Sequence, residues 1–354
     1  MNKKEILYIS YDGMTDNLGQ SQVIPYLKGL SQKGYSISIL SFEKKGNNHR
    51  YNDIHKILSS CNIEWHPLSY TSKPPIISTI WDIMKMKEKA KEIIKKKNIS
   101  IVHCRSYISA MVGLQLKKSH DIKFVFDMRG FWADERIEGG IWNKINPLFS
   151  FVYNFFKSME IRYINNSDYT ISLTESGKNV ILNWPQIDKN KKIEVIPCCV
   201  DTKHFDYQII KPSNQQKLQS QLHIPESAIT VSYLGSIGTW YMLDEMLDFF
   251  VIFQKKYPQA ILLFITTDKA EPIFERAEQK GISRNSLRIT KANRNEVPLL
   301  LSLSQASLFF IKPTFSKKAS SPTKMGEIMS MGIPVICNDN VGDVALIMED
   351  SKAG

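Results

Sequence analysis

Long apolar runs are missing from this sequence. Its most hydrophobic segments, SLFFI and AILLFI, are only strand length, well below the roughly 20 residues that a membrane-crossing helix needs. The start, MNKKEILYIS, passes from charge directly into a strand-like run. It lacks the apolar core and small-residue cleavage site of a signal peptide, so the expected location is the cytoplasm. Cysteine is scarce and scattered: Cys61, Cys104, Cys198, Cys199 and Cys337 are odd in number and form no CxxC pair. That argues against a disulfide framework or a zinc site, and no metal ligand set is assigned. GxGxxG is absent as well, so a dinucleotide claim fails its first test. No helix-turn-helix, finger or ribonucleoprotein-type aromatic motif accompanies the positive charge, which leaves nucleic acid outside the expected partners. Short tandem repeats are also lacking.

What is present is enough for two ordinary cores. A chain of 354 residues exceeds the size at which one hydrophobic core usually keeps growing, so two domains are expected. The formal charge is +11, with a dense run in KMKEKAKEIIKKKN between Lys85 and Asn98. Trp81, Met84, Ala90, Ile93 and Ile94 recur there at helical spacing, giving a helix with a basic exposed surface. Such a face is either simply solvated or drawn to the headgroups of an anionic membrane surface, an attraction worth about 1 kcal/mol per basic residue.

Strand-like runs alternate with helical patterns along the whole chain. EILYIS, SISILSF, SIVHC, KFVFD, YTISLT and KIEVIP read as strands of a first unit, with helices near Gln20 to Lys33, Ser109 to Lys118 and Pro147 to Ile164. ITVSYL, AILLFI, LRIT, ASLFFI and IPVICN resume the pattern, with helices near Leu243 to Lys256 and Ile273 to Lys280. This alternation predicts parallel strands joined by helical crossovers in doubly wound sheets. Residues 1–205 are expected to form one domain and 226–354 the other, joined by a polar, Gln-rich linker at 206–225. The second unit is short for its type: the sequence ends at EDSKAG soon after a strand, where a further helical segment is expected.

Ligands of open α/β sheets bind outside the carboxyl ends of the strands, where loops converge with helix N-termini. The first such loop, in SYDGMTDNLGQSQVIPYL, holds Gly13 and Gly19. Its glycines permit unusual backbone, and Gly19, Gln20 and Ser21 can offer N–H groups at the helix start. It is either a phosphate or substrate contact or a flexible loop with a polar cap. In the second unit, YLGSIGTWYMLDEM places Gly235, Ser236 and Gly238 just after a strand, where a ligand can approach backbone closely. Trp240 and Tyr241 follow, as ligand surface or as packing. KFVFDMRGFWADERIEGG gathers Asp127, Arg129, Asp134, Glu135 and Arg136 after a buried-type strand. Charges of both signs at a strand end mark either an active-site wall or a structural network. His103, near the end of SIVHC, is either a candidate site residue or a packed core histidine.

SSPTKMGEIMSMGIPVIC, residues 320–337, is the densest candidate. Pro322 suits a helix beginning, and Ser320 or Ser321 can cap it. Met325, Ile328 and Met329 sit at i, i+3 and i+4 as the buried face. Thr323, Lys324, Gly326 and Glu327 lie at or beside the other faces. Free N–H groups, the positive helix end and the Lys324 charge suit a phosphate. Glu327, an acceptor when ionised, suits the hydroxyls of a ribose. Alternatively Lys324 and Glu327 form only an i,i+3 surface pair worth a few tenths of a kcal/mol.

Taken together, SYDGMTDNLGQSQVIPYLKGLSQKGYSISILSFEK, FDMRGFWADE, SLTESGKNVI, IEVIPCCVDTKHF, YLGSIGTWY and SSPTKMGEIMSMGIPVICNDNVGD resemble, in order and spacing, a retaining glycosyltransferase of family 4, of the polysaccharide-biosynthesis type. The resemblance implies the GT-B architecture, two Rossmann-like domains facing across a cleft, the second binding a nucleotide diphosphate sugar as co-substrate with no separate cofactor. By it, Glu327 matches the second glutamate of the E-x7-E motif and contacts the ribose. Pro322, Thr323 and Lys324 match the diphosphate-binding turn, and Gly13 and Gly19 belong to the loop facing donor phosphates and acceptor. Three departures stand out. The first glutamate of E-x7-E falls at Ala319, no Lys or Arg follows the second-unit glycines in SIGTWYML, and Arg129 stands where many relatives carry histidine. Lys324, with Lys317, Lys318 or Arg129, is left to neutralise the diphosphate. The C-terminal segment that crosses back onto the first domain in relatives is not in the sequence, so the second domain is expected to be incomplete.

The expectation is therefore sugar transfer without a metal and with retention, to a glycan or lipid-linked acceptor, at or near the inner face of a membrane. Donor-binding candidates are Gly13, Gly19, Gln20, Gly235, Ser236, Thr323, Lys324 and Glu327. Catalytic candidates are Asp127, Arg129 and His103. A nucleotide-sugar epimerase and a non-catalytic nucleotide-sugar-binding subunit are the alternatives.

Overall fold

In the computed structural model, which describes residues 4–74 and 76–353, the chain divides into two compact units, Met1–Pro197 and Cys198–Gly354. The first unit runs β1 (Glu5–Ser10), α1 (Ile24–Gln32), β2 (Ser36–Glu43), α2 (Tyr51–Ser60), β3 (Ile63–Ser69), α3 (Ile77–Lys96), β4 (Ile99–Arg105) and α4 (Ser106–Ser119). It continues with β5 (Lys123–Asp127), α5 (Trp132–Glu138), α6 (Pro147–Asn166), β6 (Tyr169–Ser172), α7 (Glu175–Leu182) and β7 (Ile193–Val195). Its strands form one parallel sheet in the order β3-β2-β1-β4-β5-β6-β7. The order reverses between β1 and β4, and a ligand crevice opens at that kind of switch point.

The second unit holds α8 (Pro212–Gln221), β8 (Thr230–Leu234), α9 (Leu243–Lys256), β9 (Ile261–Ile265), α10 (Ala270–Gln279), β10 (Leu287–Thr290) and α11 (Val297–Leu301). After these come β11 (Ala306–Phe309), α12 (Thr323–Ser330), β12 (Val335–Cys337) and α13 (Val344–Ser351). The parallel order β10-β9-β8-β11-β12 puts the switch point between β8 and β11. Helices cover both faces of such a sheet, so its central strands read as unbroken apolar runs. All of β8 and β9 is buried accordingly.

Three sequence expectations need correction. The 206–225 segment is no linker: α8 begins at Pro212, which supplies the fixed φ a first helical turn accepts. Its Leu218, with Ile210 and Leu222, packs on the second unit's core, to which Phe205 also belongs. The division therefore falls at Pro197, ahead of the expected boundary. Second, β3 and α2 escaped the pattern reading, because IEWHPLS is an edge strand carrying Glu64, His66 and Pro67, tolerated where one flank has no sheet partner. Third, α3 turns Asp82, Met86, Ala90 and Ile93 inward and leaves Trp81 and Met84 exposed. After β12, α13 already supplies a helical segment, and it runs into EDSKAG.

Candidate functional site

In the second unit the chemistry collects at the switch point. β8 is followed directly by Gly235, whose φ of +113° is open to glycine and strained for other residues. The turn is fixed by Tyr233, whose hydroxyl donates to the Ser236 carbonyl at 2.6 Å, and by Asp268, which accepts from the Ile237 N–H. Gly238 faces open space, with only Ser236 Oγ at 4.0 Å from a built Cβ, so glycine is not required there.

α12 starts beside this turn. Its N-cap is Pro322 and no side chain caps it. The expected serine cap is not made, because the Ser321 hydroxyl instead accepts from the Cys198 N–H at 3.1 Å. Met325 and Ile328 are buried as expected, and Lys324 and Glu327 turn out to be buried too, each only 8% exposed. The i,i+3 surface pair is therefore overturned. The Lys324 ammonium lies 4.4 Å from the Tyr233 ring centre and 3.7 Å from that of Tyr241, and it donates to the Tyr233 hydroxyl at 3.3 Å. A Cβ on Gly235 would sit 2.9 Å from its Nζ, so the missing side chain at 235 makes room for this lysine. Burial pulls the Lys324 pKa down to about 7, against the pull of Glu327 in the other direction.

Glu327 is held by a residue the sequence reading missed. Arg294 Nη1 donates to Glu327 Oε1 at 2.9 Å, and its guanidinium rests over Phe205 at 5.3 Å. Arg294 opens a turn fixed by the Asn293–Glu296 capping box, just past β10 at the carboxyl edge of the sheet. That capping signature in KANRNEV was the available sequence signal. Of the other lysines considered, Lys317 is buried with its Nζ 3.8 Å from the Trp240 ring centre, and Lys318 is exposed. Ala319 is buried in a short 3-10 turn and brings no carboxylate.

The first unit has its own cluster at its switch point. The β1–α1 loop folds around a buried carboxylate: Glu43 accepts from Met14 N at 2.9 Å, Thr15 N at 3.0 Å, Thr15 Oγ1 at 2.6 Å and Ser41 Oγ at 2.6 Å. Gly13 and Gly19 are needed for close approach and not for unusual φ. A Cβ on Gly13 would stand 2.7 Å from Glu43 Oε2, and one on Gly19 2.6 Å from Met14 Cα. The helix begins at Asn17, so Gly19 lies in its first turn while Gln20 and Ser21 are already past it. The Gln20 N–H donates to Asp16 O at 3.1 Å, and its side chain to Thr15 O at 3.0 Å.

Asp127 ends β5 opposite Arg105, the last residue of β4. Its carboxylate lies 3.5 Å from His103 Nε2 and 3.7 Å from Arg129 Nη1. Burial pushes its pKa up, but Arg129, His103 and Arg105 outweigh that and hold it below the usual carboxylate value. Gln22 joins two guanidiniums: its Oε1 accepts from Arg105 Nη2 at 2.9 Å and from Arg129 Nη2 at 2.7 Å. Arg105 is almost fully buried and was not singled out from the sequence. Arg129 takes φ +59°, a left-handed conformation costly for a non-glycine residue. His103 thus joins the cluster while also packing on Tyr8, ring centres 4.7 Å apart. Asp134 goes elsewhere, accepting from Tyr153 at 2.8 Å and Lys157 at 2.8 Å, and Arg136 covers Trp132.

Residues 22–204 match the profile described as Glycosyltransferase Family 4, and residues 214–354 match Glycosyl transferases group 1. The chain belongs to glycosyltransferase family 4. A search of curated protein sequences finds no match. Among solved structures it is similar to a glycosyltransferase from Rickettsia africae ESF-5, with 18% identity, a TM-score of 0.68, and 98% of this chain and 82% of that one covered. HepE from Anabaena, solved with UDP and glucose, shares 12% identity at a TM-score of 0.68, covering 96% and 82%. The UDP-GlcNAc 2-epimerase from Neisseria meningitidis, bound to UDP-GlcNAc, shares 12% at a TM-score of 0.54, covering 96% and 83%. At these identities the likeness shows the fold, two Rossmann-like α/β units of GT-B class. As a glycosyltransferase family member, the chain transfers sugar from an activated donor. Among the described residues, no group of three or more His, Cys, Asp or Glu side chains is placed to hold a metal ion.

Proposed function

We propose that this glycosyltransferase moves a sugar from a nucleotide diphosphate sugar to a glycan or lipid-linked acceptor, with retention at the anomeric carbon and without a metal. One observation carries the donor assignment. Lys324 is a nearly buried cation whose charge is met by tyrosine rings and a phenol, not by a paired carboxylate, at a glycine turn on the switch point of the second sheet. An anion placed there restores the charge that burial penalises, and a diphosphate carries it in the required form. When the sugar–phosphate bond breaks, negative charge grows on the departing diphosphate, and a desolvated lysine beside a helix N-terminus stabilises it more than water does. The acceptor hydroxyl loses its proton towards that same phosphate, so no protein nucleophile is needed. Glu327, shared with Arg294, takes the ribose hydroxyls. Asp127, Arg129 and His103 position acceptor or sugar from the first unit, with Arg105 and Gln22 fixing Arg129.

A thermal-shift screen of nucleotide diphosphate sugars, followed by transfer to membrane-extracted acceptor, tests this reading. Stabilisation by a donor that Lys324→Met abolishes, together with acceptor-dependent release of nucleotide, supports it. Donor binding with a changed sugar configuration and no acceptor requirement supports an epimerase instead. The buried Ala319, which leaves the donor sugar without the usual carboxylate, favours a third outcome, binding without turnover in any acceptor mixture. No stabilisation by any donor overturns the assignment.

A further inference from the structure

Among the described residues, half of the exposed large apolar side chains fall in two short stretches of the first unit. On α3, Ile77, Ile80, Trp81 and Met84 recur at i, i+3, i+4 and i+7 and point away from the core, Trp81 being 55% exposed. On α6 and the turn before it, Ile145, Leu148, Phe151 and Phe155 make a second stripe, with Phe151 69% exposed. Neither stripe is the helix's packing face. α3 buries Met86, Ala90 and Ile93, and α6 buries Phe156, Met159 and Tyr163.

The topology places the stripes together. α4 packs against both α3 and α6, so the two helices flank it on one face of the sheet. Both helices start from the carboxyl ends of strands, so their first halves lie at the same end. Packed helices are about 8–10 Å apart, which puts the stripes roughly 20 Å from one another.

Charge distinguishes the occupants of this patch. Residues 72–87 contain one carboxylate, Asp82, and it is fully buried. Residues 139–159 contain none. Lys73 and Lys144 are exposed and Lys87 half-buried in these same stretches. Further along α3 the positive charge is largely internal to the helix, since Lys89 and Lys96 pair with Glu92 at 2.9 and 2.8 Å and Lys91 with Glu88 at 3.0 Å. A second copy of the chain docking here by two-fold symmetry would set lysines against lysines with no carboxylate to answer them. An anionic lipid surface meets both features, apolar side chains with Trp and Phe at the headgroup level and lysines at the phosphates.

We propose that the first halves of α3 and α6 seat the first unit in the interfacial layer of an anionic bilayer, with Trp81 and Phe151 inserted and Lys73, Lys87 and Lys144 at the phosphate plane. The surface rests on no property of the donor site. Its test is flotation of the purified protein with vesicles of phosphatidylcholine alone and of equimolar phosphatidylcholine and phosphatidylglycerol, with neither donor nor acceptor present. The wild type should float with the mixed vesicles and about tenfold less with phosphatidylcholine alone. The double variant Trp81→Glu, Phe151→Glu should lose at least about tenfold in partition, with its melting curve and donor-induced thermal shift unchanged. A wild type that stays unbound to the mixed vesicles overturns the proposal, as does a double variant that floats equally well. Dimerisation by light scattering that the double variant abolishes, without vesicle binding, assigns the patch to a second copy and overturns it too.

Discussion

The Nζ of Lys324 stands 3.7 Å from the centre of the Tyr241 ring, so a buried ammonium is answered by aromatic faces where a carboxylate would be the ordinary partner. A cation–aromatic contact contributes only about 0.5–2 kcal/mol, less than the cost implied by a pKa drawn from 10.5 to about 7. The apo site thus holds a charge that its surroundings do not balance. Replacing it with the similarly shaped Lys324→Met should raise the apo melting temperature at pH 6 by a few degrees, and weaken binding of the nucleotide diphosphate sugar by at least about tenfold. Calorimetric melting and titration calorimetry on the same samples check both signs. A variant that binds donor as well as the wild type removes Lys324 from the site.

The same lysine sets a pH dependence. Its folded pKa of about 7 lies below the unfolded value of 10.5, so between these pH values the unfolded chain binds more protons and stability rises with pH on this account. Donor binding runs the opposite way. The diphosphate of a nucleotide sugar has no ionisation in this window and prefers charged lysine, so binding takes up a proton. Affinity should be flat below about pH 6.5 and fall about tenfold between pH 7 and 8.5. Titrations in buffers of different ionisation enthalpy measure the uptake directly. Flat affinity across that window would show that Lys324 keeps its charge or makes no phosphate contact.

Arg294 should matter to both stability and donor affinity. Its removal leaves Glu327, 8% exposed, without its 2.9 Å partner, and an unpaired, nearly buried carboxylate costs about 1–3 kcal/mol. Arg294→Leu is therefore expected to lower the melting temperature by several degrees. Glu327→Ala removes both partners' dependence on each other and should lower it less, while weakening nucleotide binding. Unchanged nucleotide affinity in Glu327→Ala would break the ribose assignment.

How much of this was legible in the sequence depended on the distance between partners. The runs buried on both faces, such as ILLFI of β9, were readable because every position faces core. Edge strand β3 was not, because Glu64, His66 and Pro67 obey a neighbour on one side only. Trp81 and Met84 carried the helical period of α3 but face solvent, because the inward slot goes to Asp82, whose carboxylate accepts from Thr71 N at 2.9 Å and pairs with Lys85. Local spacing reveals a period and not which phase of it is buried. Lys324 and Glu327 were identifiable as residue types at a helix start. Their partners Tyr233, Tyr241 and Arg294 come from other strand ends, and only the sheet order brings them together. Glu43 was missed for the same reason, since it reaches Met14 and Thr15 from the neighbouring strand.

Three glycines give contrasting tests of that packing. Gly13→Ala would push a Cβ to 2.7 Å from Glu43 Oε2 and 2.8 Å from the Phe42 carbonyl oxygen. Backbone cannot step aside as a side-chain end can, so about 1–3 kcal/mol should be lost. Gly238→Ala meets only Ser236 Oγ at 4.0 Å and should leave the melting temperature within a degree or so. At Gly235 the close atom is the mobile end of Lys324, yet φ +113° strains any L-residue. Gly235→Ala should therefore cost stability and displace the lysine, lowering donor affinity as well. Equal melting temperatures for Gly13→Ala and Gly238→Ala would contradict the role given to the Glu43-centred loop.

The segment carrying Arg129 is braced from below by a buried charge network. Lys157 reaches both Asp134, at 2.8 Å, and Glu160, which also accepts from the Tyr107 hydroxyl. Burial pushes the Glu160 pKa up, while Lys157 and Tyr107 pull it down without cancelling the rise. With the folded pKa above the unfolded one, Glu160 costs stability as pH rises through that range. Lys157→Met removes the shared cation and leaves two carboxylates confined with each other, a loss of about 3–5 kcal/mol at neutral pH. Acid relieves it, since protonating Glu160, whose pKa is already raised, removes the repulsion. The deficit relative to wild type should narrow steadily from pH 8 towards pH 5, which paired melting curves at each pH would display. A deficit independent of pH would mean that Lys157 acts through its ammonium over the Phe131 and Trp184 rings and not through the two carboxylates.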